Sequence, residues 1–183
     1  ARATLSGSRQ PSATVSLEVT ALAKQQTLAS APFAAATTPT GSGTLTLRFG
    51  TVSGGAFTED TAHAAAAITI PAGSTLTDVA AAINGAGAGV SAYIANTVDG
   101  AQLVLKGADG ATNGFILEAT EEPTEPGLAA LAWTPAATTG QLLSSAQDAA
   151  FKVDGLAMTS ARLLAAVIGR VVLGSGGAWR PYW

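Results

Sequence analysis

The sequence has no cysteine and a single histidine, His63, among 183 residues. Without cysteine the chain has no disulfide and no thiolate ligand for a metal ion. A Ser-His-Asp triad would require His63, and no G-x-S-x-G nucleophile motif accompanies it. Because His63 lies in a segment rich in alanine and threonine, we expect it to be a surface or loop residue.

Charged residues are also scarce, at 11% of the chain against about a quarter in an average domain. The net charge is −3, and the nine basic residues are scattered. No basic patch could neutralise a run of phosphates, so we expect no nucleic-acid partner. The surface must be covered mainly by Thr, Ser, Gln, Asn and Ala, which is more typical of extracellular β proteins and filament subunits than of cytosolic enzymes.

Long apolar runs are missing as well. No stretch of about 18 apolar residues occurs, which predicts no membrane insertion. Residues 1–10 are polar and basic, without the apolar centre of a signal peptide. If the protein is extracellular, we expect either a missing targeting segment or another export route.

Alternating apolar residues predict a series of short strands. The clearest case is Leu45, Leu47 and Phe49, in a strand that we expect to end at Gly50. Asp99-Gly100 and Asp154-Gly155 predict hairpin turns, because Asp-Gly suits the positive φ angles of a two-residue turn. The predicted strands are 13–20, 44–49, 67–70, 89–98, 103–105, 114–119, 149–153, 156–160 and 167–173, with 129–133 as a further candidate.

One short helix is predicted near residues 75–84. Leu76, Val79, Ala80 and Ile83 recur at helical spacing and form one apolar stripe. Ser74 or Thr75 supplies an N-cap, Asp78 favours the first turn, and Gly85 provides a C-terminal stop.

The fold class that follows is mainly β, a β-rich α+β chain. Residues 21–36 are ambiguous, and residues 37–43 and 135–145 resemble linkers. These two breaks predict two small β-rich lobes.

The remaining motifs have structural explanations that we prefer to chemical ones. Gly85-Ala-Gly-Ala-Gly89 does not match a dinucleotide loop and follows a helix, whereas a phosphate needs a helix N-terminus. The aspartates before glycine (Asp99, Asp109 and Asp154) fit turns better than calcium ligands or catalytic acids, since no D-x-D-x-D-G loop is present. Glu121, Glu122 and Glu125 lie between prolines and predict a solvated loop.

The aromatic tail contains Trp179, Tyr182 and Trp183, which could stack on a sugar or contact a partner, although an unstructured end is the preferred interpretation. We therefore predict no enzyme, and we nominate no catalytic, cofactor-binding or metal-binding residue. No cofactor is expected.

Three stretches resemble the flagellar filament-capping family, also called hook-associated protein 2. Residues 15–30 are similar to the family's strand with a Leu-Ala-x-x-Gln segment. Residues 43–117 resemble the insertion motif shared by flagellins and hook-associated proteins. Residues 146–160 resemble the hairpin by which the chain returns to the inner lobe. The order of the three stretches is more specific than any one alone.

The resemblance implies two head domains, one inserted into the other. The inner domain would comprise residues 13–40 and 146–174, the outer domain residues 41–145, with a disordered lead at 1–12 and a flexible aromatic tail at 175–183. The family's long flanking amphipathic helices are missing, and the sequence departs from the family pattern after Ser160. The resemblance thus identifies a head-domain fragment.

The function implied is that of a structural module of the bacterial flagellar cap, outside the cell at the filament tip, that assists flagellin assembly. Its expected partners are other cap subunits and flagellin, with a host surface or glycan as a further possibility. Two alternatives stay open: an outer domain of flagellin or another hook-associated protein, and a carbohydrate-binding or adhesin domain, for which Trp133 and Trp179 are the test residues. An enzyme is the weakest option, because no acid, base and nucleophile converge.

Overall fold

A computed structural model of the protein describes residues 16–137 and 139–162. The predicted lead at 1–12, the strand at 167–173 and the aromatic tail at 175–183 lie outside these residues. The β-rich prediction is confirmed. The strands are β1 Leu17–Ala21, β2 Gln25–Ala29, β3 Gly43–Ser53, β4 Ala56–Glu59, β5 Ala66–Ile70, β6 Ser91–Thr97, β7 Gly100–Asp109, β8 Gly114–Glu121, β9 Gln141–Ser144, β10 Ala149–Val153 and β11 Leu156–Ser160.

The predicted helix is confirmed as α1, Leu76–Ala86. Thr75 is its N-cap, and Asp78 completes a capping box with the Thr75 backbone and side chain. All four residues of the predicted stripe are buried. The helix ends two residues later than predicted, because Gly87 rather than Gly85 adopts the left-handed C-cap conformation, with φ 61°.

The strands form three antiparallel sheets. The inner sheet has the order β1-β10-β11, and the second sheet has the order β6-β7-β2-β9. In the third sheet, β3 pairs with β8 along one edge and with β5 and β4 along the other. We call β2 to β9, with α1, the outer unit.

A buried cluster of the described residues joins the second and third sheets with α1. Its centre is the alternation of β3: Leu45 and Leu47 are fully buried, and the strand pairs Leu47 with Leu117 and Phe49 with Phe115. Cross-strand apolar pairs of this kind stabilise both the sheet and the core.

The chain passes twice between the inner sheet and the outer unit, once before β2 and once after β9. The range predicted for the inner domain, 13–40, contains β2, which pairs with β7 and β9 from the range predicted for the outer domain. Thus Gln25–Ala29 belongs, by its hydrogen bonds, to the second sheet.

The end of β3 differs from the sequence expectation. Gly50 does not end β3, which continues to Ser53, because Gly50 pairs with both Glu59 and Gly114. A Cβ at Gly50 would lie 2.1 Å from the carbonyl oxygen of Thr58, so the close approach of β4 requires glycine there.

The turn between β6 and β7 is displaced by one residue from the prediction. Thr97 pairs with Gly100, which leaves Val98 and Asp99 as the turn residues. Gly100 is needed for another reason: a Cβ there would lie 2.3 Å from the Phe33 carbonyl oxygen, where Phe33 and Ala101 form an isolated bridge. The second predicted turn is confirmed, since Asp154 and Gly155 have φ angles of 49° and 82°.

Both predicted linkers are partly ordered by pairing. Residues 37–43 include Pro39, which bridges to Thr75, and the buried Thr40, whose amide donates to the Ser74 carbonyl. Residues 135–145 contain the strand β9. The candidate strand at 129–133 is wrong: Leu128–Leu131 is a short 3-10 helix, after which Trp133 pairs with Leu117.

Candidate functional site

The acidic residues and the histidine of the described chain do not form a metal-binding cluster. Among residues 16–137 and 139–162, no group of three or more His, Asp or Glu side chains could hold a metal ion. His63 stacks on Phe49, with ring centroids 3.9 Å apart and an interplanar angle of 10°. This contact gives His63 a packing role beside β3.

The three aspartates that precede glycine lie apart, and only one is tied into the fold by its carboxylate. The Asp154 carboxylate accepts a hydrogen bond from the Ser16 amide at 2.9 Å, while the Asp154 amide donates to the Ser16 carbonyl at 2.9 Å. Asp154 thereby fastens the start of β1 to the β10–β11 turn. Asp99 and Asp109 are exposed.

The predicted glutamate loop is organised around one carboxylate. Glu121 Oε1 accepts hydrogen bonds from the amides of Gly127 at 2.6 Å and Ala129 at 2.7 Å. The Ala129 amide, followed by the Gly127 amide, holds the pKa of Glu121 below its ordinary value. Glu122 is exposed in the same loop.

The glycine run 85–89 lies at the C-terminus of α1, whereas a phosphate site needs a helix N-terminus. Gly87 closes the C-terminus of the helix, and its amide donates to the Asn84 carbonyl. Asn84 itself binds back to β6, because its side-chain amide pairs with both backbone groups of Ala92 at 2.8 Å. The run therefore ends the helix and starts the next strand.

Trp133 does not present its ring to a ligand. It is 7% exposed and packs in the core cluster, so its use as a sugar-contacting residue is wrong. Trp179, Tyr182 and Trp183 lie outside the described residues.

Two cavities among the described residues are smaller than a typical small-molecule site, which occupies roughly 300–1,000 Å³. A cavity of about 10 Å³ beside Leu28 and Trp133 is close to the size of a single water. A shallow groove of about 230 Å³ crosses the inner sheet near Thr20, Lys152 and Thr159.

The exposed surface of the described chain presents apolar side chains and ion pairs that a partner can contact. One face of the inner sheet carries Leu17, Val19 and Leu156, which are 44%, 43% and 72% exposed. On the opposite face Lys152 forms an ion pair with Glu18 at 3.2 Å. On the third sheet, Arg48 lies between Glu59 at 3.2 Å and Glu118 at 3.0 Å. Such features suit recognition by shape and surface polarity.

Comparison with known proteins finds one matching family model and several similar solved structures. The family described as the flagellin hook IN motif matches residues 44–109, about a third of the chain. The flagellar cap protein FliD (HAP2) from Pseudomonas aeruginosa PAO1 superimposes with a TM-score of 0.65 and 27% identity, covering 84% of this chain and 69% of that one. The chain is similar to flagellar cap proteins. The resemblance predicted from the sequence is thereby confirmed.

Two further cap structures share the fold. The D2-D3 domains from Serratia marcescens give a TM-score of 0.67 and 24% identity over 81% of this chain and 77% of that one. The D1-D2-D3 domains from Escherichia coli give 0.66 and 24% over 81% of this chain, but only 48% of that one, so the chain spans about half of that cap structure. No curated protein sequence matches the chain significantly.

The structure also contains a buried polar contact that sequence patterns missed. Gln26 is fully buried and its side chain links the second and third sheets. Its partner, Phe115, is 89 residues away in sequence. No local pattern indicates such a pair, because Gln26 lies between the polar residues Gln25 and Thr27 in the sequence.

Proposed function

We propose that this chain is the outer, surface-presenting part of a flagellar cap protein, acting at the distal end of the filament. The observation that carries the proposal is the similarity to the Pseudomonas aeruginosa cap protein over 84% of this chain. The proposed location is the bacterial flagellum outside the cell, and the proposed partners are other cap subunits and flagellin. The role is structural: the protein assists flagellin assembly through contacts, without a chemical step.

The strand pairing supports the proposed domain arrangement. The inner domain would be built from both ends of the segment, through β1, β10 and β11, and the outer domain would be inserted between them. We place the boundary at Lys24 and Gln147, where the outgoing and returning chains pair.

A domain exchange tests the cap role. In a bacterium that lacks its own cap protein, the corresponding head domains of a complementing cap protein are replaced by residues 16–162 of this chain. We expect filaments to form and swimming to be restored in part. The matched control carries the same exchange with Leu117→Asp, which places a charge in the core and unfolds the graft. Equal function of both grafts, or failure of a well-folded parent graft, would contradict the proposal.

The alternative of a flagellin or another hook-associated protein is favoured by the motif family matched at residues 44–109. Gold-labelled antibody against this chain separates the two. Labelling confined to filament tips supports the cap role, whereas labelling along the shaft supports flagellin. The adhesin alternative stays a prediction without an observation in its favour.

A further inference from the structure

The two passes of the chain between the inner sheet and the outer unit meet in one hydrogen-bonded junction. Lys24 and Gln147 form an isolated antiparallel bridge: the Lys24 amide donates to the Gln147 carbonyl at 2.8 Å, and the Gln147 amide donates to the Lys24 carbonyl at 3.0 Å. The outgoing and returning chains are therefore paired with each other where they cross.

A loop of the outer unit closes over this bridge. The Lys24 carbonyl accepts a second hydrogen bond, from the Gly110 amide at 3.3 Å. The next amide, Ala111, donates to Oδ1 of the half-buried Asp148 at 2.7 Å. Lys24 and Asp148 are thus tied to the end of β7 as well as to the two passing chains.

Steric fit completes the junction. Gly110 has φ 106°, and a Cβ built there would lie 2.5 Å from the Cβ of Ala161, one residue after β11. Glycine at this position lets the loop of the outer unit approach the inner sheet closely. The ladders on both sides, β1–β10 and β2–β7, are irregular between Val19 and Ala21 and between Gln25 and Thr27. Bulges of this kind bend strands and fix a change of direction.

We infer that the inner sheet and the outer unit move as one rigid body, locked at the junction of Lys24, Gly110, Ala111, Gln147 and Asp148. Domains joined by a plain two-strand linker ordinarily move relative to each other. Here the outgoing and returning chains are paired with each other. The Ala111–Asp148 and Gly110–Ala161 contacts add restraints outside the Lys24–Gln147 bridge. The junction would be rigid whether or not the protein works at a filament tip, so the two proposals fail independently.

The lack of cysteine makes a direct distance measurement possible. Spin labels are attached at Val98→Cys, at the β6–β7 turn, and at Leu156→Cys, at the start of β11; these side chains are 103% and 72% exposed. In the 183-residue chain we expect one narrow distance distribution by pulsed electron spin resonance. A broad distribution in this doubly labelled parent, with both units folded by NMR, overturns the inference without any further variant.

Two variants test whether the junction residues hold the inner sheet and the outer unit together. Asp148→Ala removes the acceptor for Ala111, and we expect the distance distribution to broaden; Asp99→Ala, at an exposed aspartate, is the matched control and leaves it narrow. Gly110→Ala inserts the clashing Cβ, and we expect the mean distance to shift. Gly73→Ala controls for the backbone strain, because Gly73 has φ 74° with nothing within 4 Å of its Cβ position. Unchanged distributions in both junction variants would show that the lock lies elsewhere.

Discussion

The side chain of Gln26 forms two hydrogen bonds with the backbone of Phe115. Its Nε2 donates to the Phe115 carbonyl oxygen at 2.6 Å, and its Oε1 accepts from the Phe115 amide at 3.0 Å. Both groups are buried. One amide on β2 therefore satisfies both backbone groups of one residue on β8 and links the second sheet to the third.

Replacing Gln26 by leucine removes this link while keeping a similar volume. We expect Gln26→Leu to lower the free energy of unfolding by about 1–3 kcal/mol for each backbone group left without a partner. Urea titration followed by circular dichroism measures the change. Gln141→Leu, at an exposed position on β9, is the control and should shift stability by less than about 0.5 kcal/mol. Equal effects of the two variants would show that the Gln26 amide contributes nothing specific.

The capping box of α1 provides a second test. Thr75→Ala removes the hydroxyl that accepts from the Asp78 amide and that donates to the Asp78 carboxylate. We expect a loss of about 1 kcal/mol in the free energy of unfolding, as for other N-cap threonines. Thr61→Ala, in an exposed loop, serves as the control. A Thr75→Ala protein as stable as the control would mean that packing alone defines the helix start.

The Glu121 carboxylate should make stability depend on pH in the acid range. Hydrogen bonds from Ala129 and Gly127 lower its pKa in the folded state below the ordinary value of 4.5. A lowered folded pKa means stability that is fully present above 4.5 and is lost as the pH falls through the folded pKa. We expect Glu121→Gln to flatten this part of the curve of melting temperature against pH.

The matched control is Glu122→Gln, in the same loop, which should leave the acid slope unchanged. If Glu122→Gln and Glu121→Gln flatten the slope equally, the slope reflects general charge and the Ala129 and Gly127 hydrogen bonds do not cause it.

The core alternation of β3 and β8 yields a fourth prediction. Leu117 is fully buried opposite Leu47, and Leu117→Ala should cost about 2–5 kcal/mol through lost burial and the cavity left behind. Leu156→Ala, at a side chain that is 72% exposed, should cost far less. Chemical denaturation measures the free energy of unfolding of both variants. A larger loss in Leu156→Ala than in Leu117→Ala would contradict a core centred on β3 and β8.

Local patterns predicted those elements whose stability is decided locally. The alternation of Leu45, Leu47 and Phe49 and the stripe of α1 depend only on residue spacing, and both were found where expected. The Asp154-Gly155 turn depends on two φ angles and was also predicted correctly. The fold class followed from such elements, whereas the family likeness was predicted from the stretches 15–30, 43–117 and 146–160 and their order.

Elements held by distant partners could not be predicted in this way. β9 lies in a segment with a linker's composition, and it is a strand because Leu142 and its neighbours pair with β2. The β6–β7 turn is shifted because the Phe33 backbone reaches Gly100 across the sheet. The Gln26–Phe115 link and the junction at Lys24 combine residues that are far apart in sequence, so a pattern within one segment carries no trace of them.

The paired passage at Lys24 and Gln147 has a consequence for how such proteins diversify. Lys24 and Gln147 are paired with each other, so the two ends of the segment between them lie at a fixed separation, whatever that segment contains. A replacement segment of any length keeps this bridge if its ends meet at Lys24 and Gln147, since the cost of closing a longer loop rises slowly with its length. The outer unit can therefore be exchanged, in evolution or by protein engineering, while the inner sheet keeps its register.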